Sequence, residues 1–530
     1  MPDQSARQNL SLAIITLVLF VTFLDNTVVA VALSNVQTDL HAGIQSLQWV
    51  VSGYALTFAG LMLAFGTIGD HLGRRLIMVA GLAVFSVGSL LGTFAVSSGM
   101  LIAARVVMGI GAAASEPGTL SMIRQLYPDG ADRAQALGVW SAISGLALAA
   151  GPVIGGVLVG LWSWRAIFLF NVVVGVIALI GVRVVLPESR SDSRRRLDER
   201  GFAGALVAVT AAVFATILGE TEGFATWWIV LLYALAGGAV LAFVHIERRA
   251  EEPALDLAFF ANGRFTSGML LAFTGFFATF AVFFFIPLFL ELLGSTTPFY
   301  LAVDFLPMAV AMIVASALSG RWIARVGPGI PMAVGAVLAA GGIYATDAVI
   351  TPSSGVGLFG WSLSLVGVGL GIVMVGATAA VLSAVPAERS GMAASAVNTS
   401  RELGAVAGVT ILGAIVNAQL TTNLLHKLDS IPGLPAAFRD QVIVAVTTGT
   451  ANTSASTLPK DPALRKIVDE VLAAAEGSFS SGLDMVLLLA ASLMVFSGVL
   501  AVLLDHRRSR RAEGGEGLGG PFEHRWRSSI

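Results

Sequence analysis

Fourteen apolar stretches, each long enough to cross a bilayer, constrain this chain more than any other feature. A helix needs about 20 apolar residues to cross a hydrocarbon core of about 30 Å. The first stretch is too long for a cleavable signal peptide and is interrupted by Asp25 and Asn26, so we expect a retained helix. The sequence thus predicts an all-α integral membrane protein. The stretches lie at 10–34, 46–68, 76–97, 99–122, 134–160, 166–186, 201–219, 227–246, 265–290, 300–320, 330–350, 356–382, 391–417 and 482–504.

The basic residues are unevenly divided between the two sides that these stretches define. Of the 31 Lys and Arg residues, 23 fall in the terminal segments and in the loops on the same side as the termini, and six fall on the opposite side. Cytoplasmic segments of membrane proteins carry the excess of Lys and Arg. We therefore predict that both termini are cytoplasmic and that the protein is a multi-pass component of the cell membrane, embedded in the lipid bilayer.

Composition excludes several classes of function. A hydrophobic content of 56%, only 12% charged residues and a mean hydropathy of +0.84 are not those of a soluble globular enzyme. The absence of cysteine removes disulfides, thiolate nucleophiles and cysteine-ligated metals. The only lysines are Lys427, Lys460 and Lys466, and none follows a glycine-rich phosphate loop. We expect no cofactor, no metal and no nucleic acid, which leaves small molecules and protons as partners.

A basic, polar stretch at 187–200 divides the chain. It separates a six-helix bundle (1–186) from two additional helices (201–263), and a second six-helix bundle follows (264–504). Gly66–Gly73 and Gly320–Gly327 share glycine spacing and surroundings at an offset of 254 residues, which indicates either a duplication or chance in a glycine-rich chain. Two similar bundles are what a rocking transporter needs. The predicted plan is two pseudo-symmetric bundles plus two extra helices.

Two polar regions fall outside this plan. The segment 418–481 is predicted to be an extracytoplasmic insertion, where an extracytoplasmic partner could dock. Within it, 463–475 has apolar residues at helical spacing, which predicts a surface helix over the outer mouth. The basic tail at 505–530 is predicted either to anchor to the cytoplasmic leaflet or to lock the topology, in preference to binding nucleic acid.

Five ionisable residues fall well inside the apolar stretches, where their cost makes them candidates for function. Asp25 lies about 22 Å along its helix from the inner side, and Arg105 lies about 9 Å deep from the outer side, so the two share a depth. The pair is either a proton-binding site or a permanent ion pair that fixes the first helix to the fourth. The five residues are Asp25, Arg105, Glu116, Arg401 and Glu402.

The other buried charges leave alternatives open. Glu402 lies near the midplane beside Arg401, but successive residues of a helix point about 100° apart, so we expect one of the two to face a cavity. Glu116 precedes Pro117 nearer the inner face, where it either serves a cavity or extends to the interface. Asp304 is the best candidate among the acids at outer helix ends, where simple solvation is the alternative. With no histidine in mid-membrane, carboxylates are left to carry protons.

Three segments carry recognisable motifs. The loop from Gly66 to Arg75 reads GTIGDHLGRR, the segment 101–113 places Arg105 before Met108 and Gly109, and 145–156 reads GLALAAGPVIGG. The loop resembles the GxLaDrxGrk signature of the major facilitator superfamily. The other two resemble the family's fourth-helix arginine motif and fifth-helix antiporter motif, with Met108 in place of the usual Gln.

The first helix narrows the resemblance to one branch. Its segment 24–33, LDNTVVAVAL, resembles the LDxTvvnvALP motif of the 14-helix drug:proton antiporters, with Ser34 in place of the usual Pro. Segments 164–171 and 390–404 extend the likeness. The resemblance implies a cytoplasmic latch formed by the loop and a pivot in the fifth helix. The gating residues that it implies are Gly66, Asp70, Gly73, Arg74 and Arg75 in the loop and Gly145, Gly151, Pro152, Gly155 and Gly156 in the fifth helix.

The resemblance also implies a function, namely proton-coupled efflux of amphipathic or cationic small molecules by alternating access, performed by a monomer. One alternative keeps the fold but exports a dedicated cargo such as a lipid, a siderophore or a self-made antibiotic. Another is a membrane-embedded transferase, for which we find no catalytic His or paired acids near one membrane face. A set of large side chains could line an adaptable apolar pocket. The alternative, for most of them, is that they pack in the core or face lipid. The set is Phe276, Phe277, Phe280, Phe283, Phe284, Phe285 and Trp361.

Overall fold

The computed structural model describes residues 4–128, 130–189, 199–250, 255–292, 297–351, 356–386, 389–429 and 462–513, and every regular element in these ranges is helical. The helices are α1 (Gln4–Val28), α2 (Leu33–Leu40), α3 (Ile44–Leu72), α4 (Arg74–Thr93), α5 (Ser98–Leu126), α6 (Gly130–Leu161), α7 (Arg165–Val185), α8 (Glu199–Glu222), α9 (Trp227–Arg249), α10 (Gly263–Phe280), α11 (Ile286–Leu292), α12 (Pro298–Val326), α13 (Gly329–Val349), α14 (Val356–Ser383), α15 (Ser390–Asp429) and α16 (Pro462–Glu513).

Twelve helical segments in the described ranges are long and apolar enough to cross a membrane. Two of them are compound. Segment Ala6–Leu40 joins α1 and α2 through a 3-10 turn at Val29–Ala32, and Gly263–Leu290 joins α10 and α11 through a π turn at Ala281–Phe285. The two remaining predicted crossings correspond to α3, which is 29 residues long, and α8, whose apolar stretch Ala203–Gly219 is shorter. The all-α membrane fold is confirmed, and the count of fourteen crossings stays a prediction.

The predicted surface helix at 463–475 is wrong as a separate element. These residues form the first turns of α16, which continues through the last apolar stretch for 52 residues in all. No proline interrupts 463–504, so nothing in the backbone forces a break between the amphipathic turns and the apolar ones. Helix α15 also extends to Asp429, so of the predicted insertion only 430–461 lies outside the described residues. Of the tail, 514–530 lies outside them.

The two halves repeat a close helix pair. A Cβ atom added at Gly81 of α4 would lie 2.6 Å from the Gly111 carbonyl oxygen of α5, and one added at Gly335 of α13 would lie 2.9 Å from the Gly369 carbonyl oxygen of α14. Small residues allow this close backbone approach in membranes. The loops before α4 and α13 also match, since Gly73 and Gly327 have positive φ angles of 120° and 79°.

The halves meet along two seams, one between α6 and α12 and one between α3 and α15. The extra helix α8 covers the second seam from outside. The Gln45 side chain of α3 donates to the Ile217 carbonyl oxygen of α8 at 3.0 Å, while Val213 and Ile217 share an apolar cluster with Val406 of α15. Helix α8 therefore contacts both halves.

Candidate functional site

Asp25 and Arg105 form a fully buried ion pair between α1 and α5, in agreement with the prediction from their depths. The second oxygen of Asp25 accepts a 2.6 Å hydrogen bond from the Asn171 amide of α7. Arg105 also donates through Nε to the Val50 carbonyl oxygen at 2.9 Å, and its guanidinium lies 4.4 Å from the centre of the Tyr54 ring. Both carboxylate oxygens are thus satisfied inside the first half of the molecule.

Glu402 is hydrogen-bonded by Asn26, the residue that follows Asp25 in α1. The Asn26 amide donates to Glu402 Oε1 at 3.0 Å, so α1 directs Asp25 into the first half and Asn26 across to α15 of the second half. Glu402 is 1% exposed, and its Oε2 has no hydrogen-bond partner among the described residues. A buried carboxylate with one unsatisfied oxygen is costly, which makes this group a candidate for binding a proton or a ligand.

A second contact between the halves joins Glu116 of α5 to α15. The Asn398 amide donates to Glu116 Oε1 at 2.8 Å and accepts at its oxygen from Arg401 Nη1 at 3.1 Å. Arg401 Nη2 donates to Thr378 Oγ1 at 2.6 Å and to the Met374 carbonyl oxygen at 3.1 Å. The alternative in which Glu116 extends to the membrane interface is wrong, because the residue is 1% exposed and accepts from Asn398 inside the protein.

Arg401 and Glu402 point to different partners, as their 100° separation on the helix requires. Of the two, Arg401 lines a cavity of about 10 Å³ together with Trp140, Ser144 and Met374. A neighbouring cavity of about 20 Å³ is lined by Trp140, Thr378 and Asn398. Each has room for about one water molecule. Both lie where α6 of the first half faces the second half.

The buried charges of this cluster do not balance. Three acids (Asp25, Glu116 and Glu402) share the region with two arginines (Arg105 and Arg401), and all five are buried. A surplus negative charge in a low-dielectric interior is expensive unless a proton or another cation compensates it. The cluster is therefore chemically equipped to take up one positive charge.

Helix α6 fits tightly between α1 and α12 along its glycine motif. A Cβ atom at Gly151 would overlap with the Thr27 hydroxyl, and one at Gly155 would lie 2.7 Å from the Val28 carbonyl oxygen. A Cβ atom at Gly156 would overlap with the Pro298 carbonyl oxygen of α12, and Gly145 faces Ser316 of α12. Pro152 lies inside the helix. The motif thus forms one of the seams between the halves, while its role as a pivot stays a prediction.

The loop between α3 and α4 docks on the end of α7. Arg74 and Arg75 donate their backbone N–H groups to the Ser189 carbonyl oxygen at 2.9 Å and to Glu188 Oε1 at 3.1 Å. Arg75 Nε also pairs with Glu188 at 3.6 Å. Gly73 adopts its φ of 120° where a side chain would collide with Glu188. The side chain of Asp70 lies outside the described part, and a Cβ atom added at Gly66 would lie 3.5 Å from Pro117 Cβ, an ordinary contact, so the latch predicted for these two residues stays a prediction.

The structure decides two further alternatives: whether Asp304 is solvated at its helix end, and whether the large apolar side chains line a pocket. Asp304 is 4% exposed, so solvation at the helix end is wrong: α12 begins at Pro298, which places Asp304 six residues inside the helix. All six phenylalanines are buried, whereas Trp361 is 57% exposed on the apolar outer surface. The prediction that most of this set packs or faces lipid is confirmed.

Sequence reasoning missed the uncharged members of the site. Asn26, Asn171 and Asn398 each donate to one of the three buried acids, and Thr378 accepts from Arg401. The signal was available, because a side-chain amide in an apolar stretch also needs a partner when it is buried. The charge-based search passed over these residues because it ranked only ionisable groups.

Comparisons with known proteins agree with this architecture. The family model described as Major Facilitator Superfamily matches residues 15–409. The chain is 32% identical to the multidrug resistance protein Stp of Mycobacterium tuberculosis, over 92% of this chain and 90% of that protein. It is 31% identical to the drug efflux pump JefA of the same species, over 93% and 97%.

Further matches lie at greater distance or cover less of the chain. The tetracenomycin C resistance and export protein of Streptomyces glaucescens is 33% identical over 75% of this chain and 74% of that protein. Among solved structures, a bacterial homolog of the human lysosomal transporter Spinster, in an inward-facing and unoccupied conformation, aligns with a TM-score of 0.58 at 17% identity, over 94% of this chain and 98% of that one. That likeness concerns the fold alone.

Family and relatives are transporters, which supports a transporter in place of the membrane-embedded transferase. The match in fold agrees with the helical bundle. The chain belongs to the Major Facilitator Superfamily and is a multi-pass protein of the cell membrane.

Proposed function

We propose that this protein exports amphipathic small molecules, including cationic ones, in exchange for protons. Relatives that match over nine tenths of the chain are named as multidrug resistance and drug efflux proteins. The buried cluster supports the coupling, because it spans both halves and has one more acid than it has arginines. Alternating access of the halves would expose this cluster first to one side of the membrane and then to the other.

The observation that carries the proposal is the contact from Asn26 to Glu402. It joins the halves through an acid whose Oε2 has no hydrogen-bond partner in the part of the chain that the structure describes, so a proton on that oxygen neutralises the surplus charge while the halves are closed. When the halves rock apart, the contact opens and water can take the proton. The ion pair of Asp25 and Arg105 stays within the first half and moves with it.

The test is transport by purified protein in vesicles with an imposed ΔpH. We expect uptake of a cationic dye into inside-out vesicles to require the gradient and to collapse with an uncoupler. Glu402→Gln should lose this dependence, while Glu188→Gln, which changes an acid at the α7 end, should keep it. Undiminished transport after the uncoupler would refute coupling.

We also propose the full topology that the sequence predicts, with fourteen crossings, both termini cytoplasmic, and two six-helix bundles flanking α8 and α9. Because the chain has no cysteine, single-cysteine variants report sidedness cleanly. Arg200→Cys and Arg249→Cys should label from the cytoplasm and Ala225→Cys from outside. Labelling of residues 200 and 225 from the same side would mean that α8 does not cross.

A dedicated cargo is the second candidate. The observation that favours it is that several relatives are named for one antibiotic, among them the tetracenomycin C and methylenomycin A resistance proteins. We propose that the insertion at 418–481 then receives the cargo or docks an extracytoplasmic partner. Deleting 430–461 should impair export of that cargo and spare general dyes; equal loss of both would contradict the idea.

We propose a monomer as the working unit, because one chain supplies both halves of the charge cluster. Light scattering of the protein in detergent, corrected for the micelle, should give the mass of one chain, 54.8 kDa. A stable dimer mass at low protein concentration would contradict this proposal.

A further inference from the structure

Arg401 has one donor that the protein leaves unused. Its two terminal nitrogens are bonded to Asn398, Thr378 and the Met374 carbonyl oxygen, but its Nε–H has no hydrogen-bond partner among the described residues, although the residue is 4% exposed. Buried donors are nearly always paired, so an orphan of this kind needs an explanation. A ligand acceptor that arrives in another step of the cycle supplies one.

The surroundings of Arg401 suit such a ligand. The cavity that it lines has the Trp140 ring, Leu148 and Met374 as apolar walls, with Ser144 and Ser316 as the polar ones. Ligand sites combine apolar and aromatic walls with a few fixed polar groups. At about 10 Å³ the cavity has room for about one water molecule in this conformer, but it lies on the seam between α6 and the second half, which must open when the halves separate.

The charges nearby restrict the ligand further. Glu116 and Glu402 both attract Arg401 electrostatically, so part of its positive charge is already offset. An anionic cargo would add to the acid surplus of the cluster and be repelled. The free Nε–H therefore suits an uncharged acceptor oxygen on a cargo that is neutral or cationic overall.

We propose that Arg401 Nε is the recognition donor of the cargo site and that the preferred cargo class is neutral or cationic aromatic amphiphiles carrying a ring carbonyl. The carbonyl oxygen accepts from Nε, and the ring packs against Trp140 and Met374. This inference rests on the proposed export function and names its substrate class.

The experiment uses two fluorescent probes with the same tricyclic skeleton and the same cationic side chain, with and without a ring carbonyl. Their dissociation constants are measured by fluorescence polarisation on the purified full-length protein in detergent, with no gradient. A hydrogen bond from a charged donor predicts about 10- to 100-fold tighter binding of the carbonyl probe. Equal affinities in the unmodified protein would overturn the proposal.

Two variants locate the effect. Arg401→Lys keeps a positive charge facing Glu116 and Glu402 but has no Nε–H, so we expect the preference to fall to about threefold or less, with the probe lacking the carbonyl bound as before. Leu148→Phe fills the cavity and should weaken both probes together. A preference that survives Arg401→Lys would also overturn the proposal.

Binding without a gradient separates this inference from the proposed function. A protein that prefers the carbonyl probe but transports it without regard to ΔpH would refute proton coupling and leave the cargo site standing. A protein that is coupled but binds both probes equally would do the reverse.

Discussion

Asp25 of α1 and Glu402 of α15, which accepts a hydrogen bond from α1, are both fully buried acids, yet their surroundings differ. Asp25 is held by Arg105 on one oxygen and by Asn171 on the other, and all three residues belong to the first half. Glu402 accepts from the Asn26 amide on one oxygen, while its other oxygen has no hydrogen-bond partner among the residues the structure describes, and Asn26 belongs to the other half. Asp25 and the acid that its chain neighbour Asn26 contacts can therefore have different roles in transport.

The difference teaches which acid is suited to carry a proton. A carboxylate with a buried arginine and a second donor is stabilised in its charged form and has little to gain from protonation. A carboxylate with one unsatisfied oxygen and a surplus of acids around it gains from holding a proton, and loses that reason when the halves part. We therefore assign the static role to Asp25 and the exchanging role to Glu402.

The largest effect should come from breaking the paired acid. Asp25→Asn leaves Arg105 as an uncompensated buried cation, which costs about 3–5 kcal/mol. We expect a large fall in the midpoint of thermal unfolding in detergent, together with loss of export. The double variant Asp25→Asn with Arg105→Met removes both charges and should recover most of the stability; if it stays as unstable as the single variant, the ion pair is not what holds α1 to α5.

A smaller effect should follow from displacing α1 against α6. Gly151→Ala puts a methyl group onto the Thr27 hydroxyl and within 2.9 Å of the Val28 nitrogen, and such overpacking costs about 1–3 kcal/mol. Gly341→Ala is the matched control, because a Cβ atom there meets nothing within 4 Å. Equal stabilities of the two variants in thermal unfolding would contradict the tight α1–α6 contact.

Changing the incompletely satisfied acid should cost still less stability. Glu402→Gln keeps an oxygen for Asn26 and strands no cation, because Arg401 retains Glu116; we expect a loss of about 0.5–1.5 kcal/mol, the value of one ordinary hydrogen bond. Proton-coupled export should nevertheless be abolished. A stability loss as large as that of Asp25→Asn would erase the distinction drawn between the two acids.

The smallest effect should come from the exposed ion pair between Arg75 at the start of α4 and Glu188 after the end of α7. Arg75 and Glu188 are 37% and 31% exposed, and ion pairs of this kind contribute about 0–1 kcal/mol. Glu188→Gln should hardly change thermal unfolding, and its small effect should shrink further at 1 M salt. A loss that matches a buried pair and resists salt would mean that this contact contributes far more to the stability of the fold than its exposure predicts.

Much of this arrangement could be predicted from the sequence. The lengths of the apolar stretches predicted the helices, and the equal depths of Asp25 and Arg105 predicted their contact. Both quantities can be calculated from the rise per residue of a single helix. Glu116 could not be settled this way. Whether it extends to the interface depends on Asn398, which lies 282 residues further along the chain and faces it only after the halves pack.

Two local features also escaped the sequence. The run of phenylalanines near 283 contains a π turn at Ala281–Phe285, and its sequence, AVFFF, has no proline or glycine from which a change in the helix could be predicted. The amphipathic turns at 463–475 were separated from the last span because their polarity differs, but polarity does not end a helix; a terminating residue does, and none is present. Composition predicts environment well and backbone continuity less well.

Ligand-induced proton release tests the assignment of Glu402 most directly. The purified protein in weakly buffered detergent solution is mixed with a saturating cationic dye, and the released protons are counted with a pH indicator. Linkage requires that a cargo competing with a proton expels it, so we predict about one proton per bound dye for the unmodified protein and for Glu188→Gln, and none for Glu402→Gln. Undiminished release from a Glu402→Gln variant that still binds the dye would contradict the account.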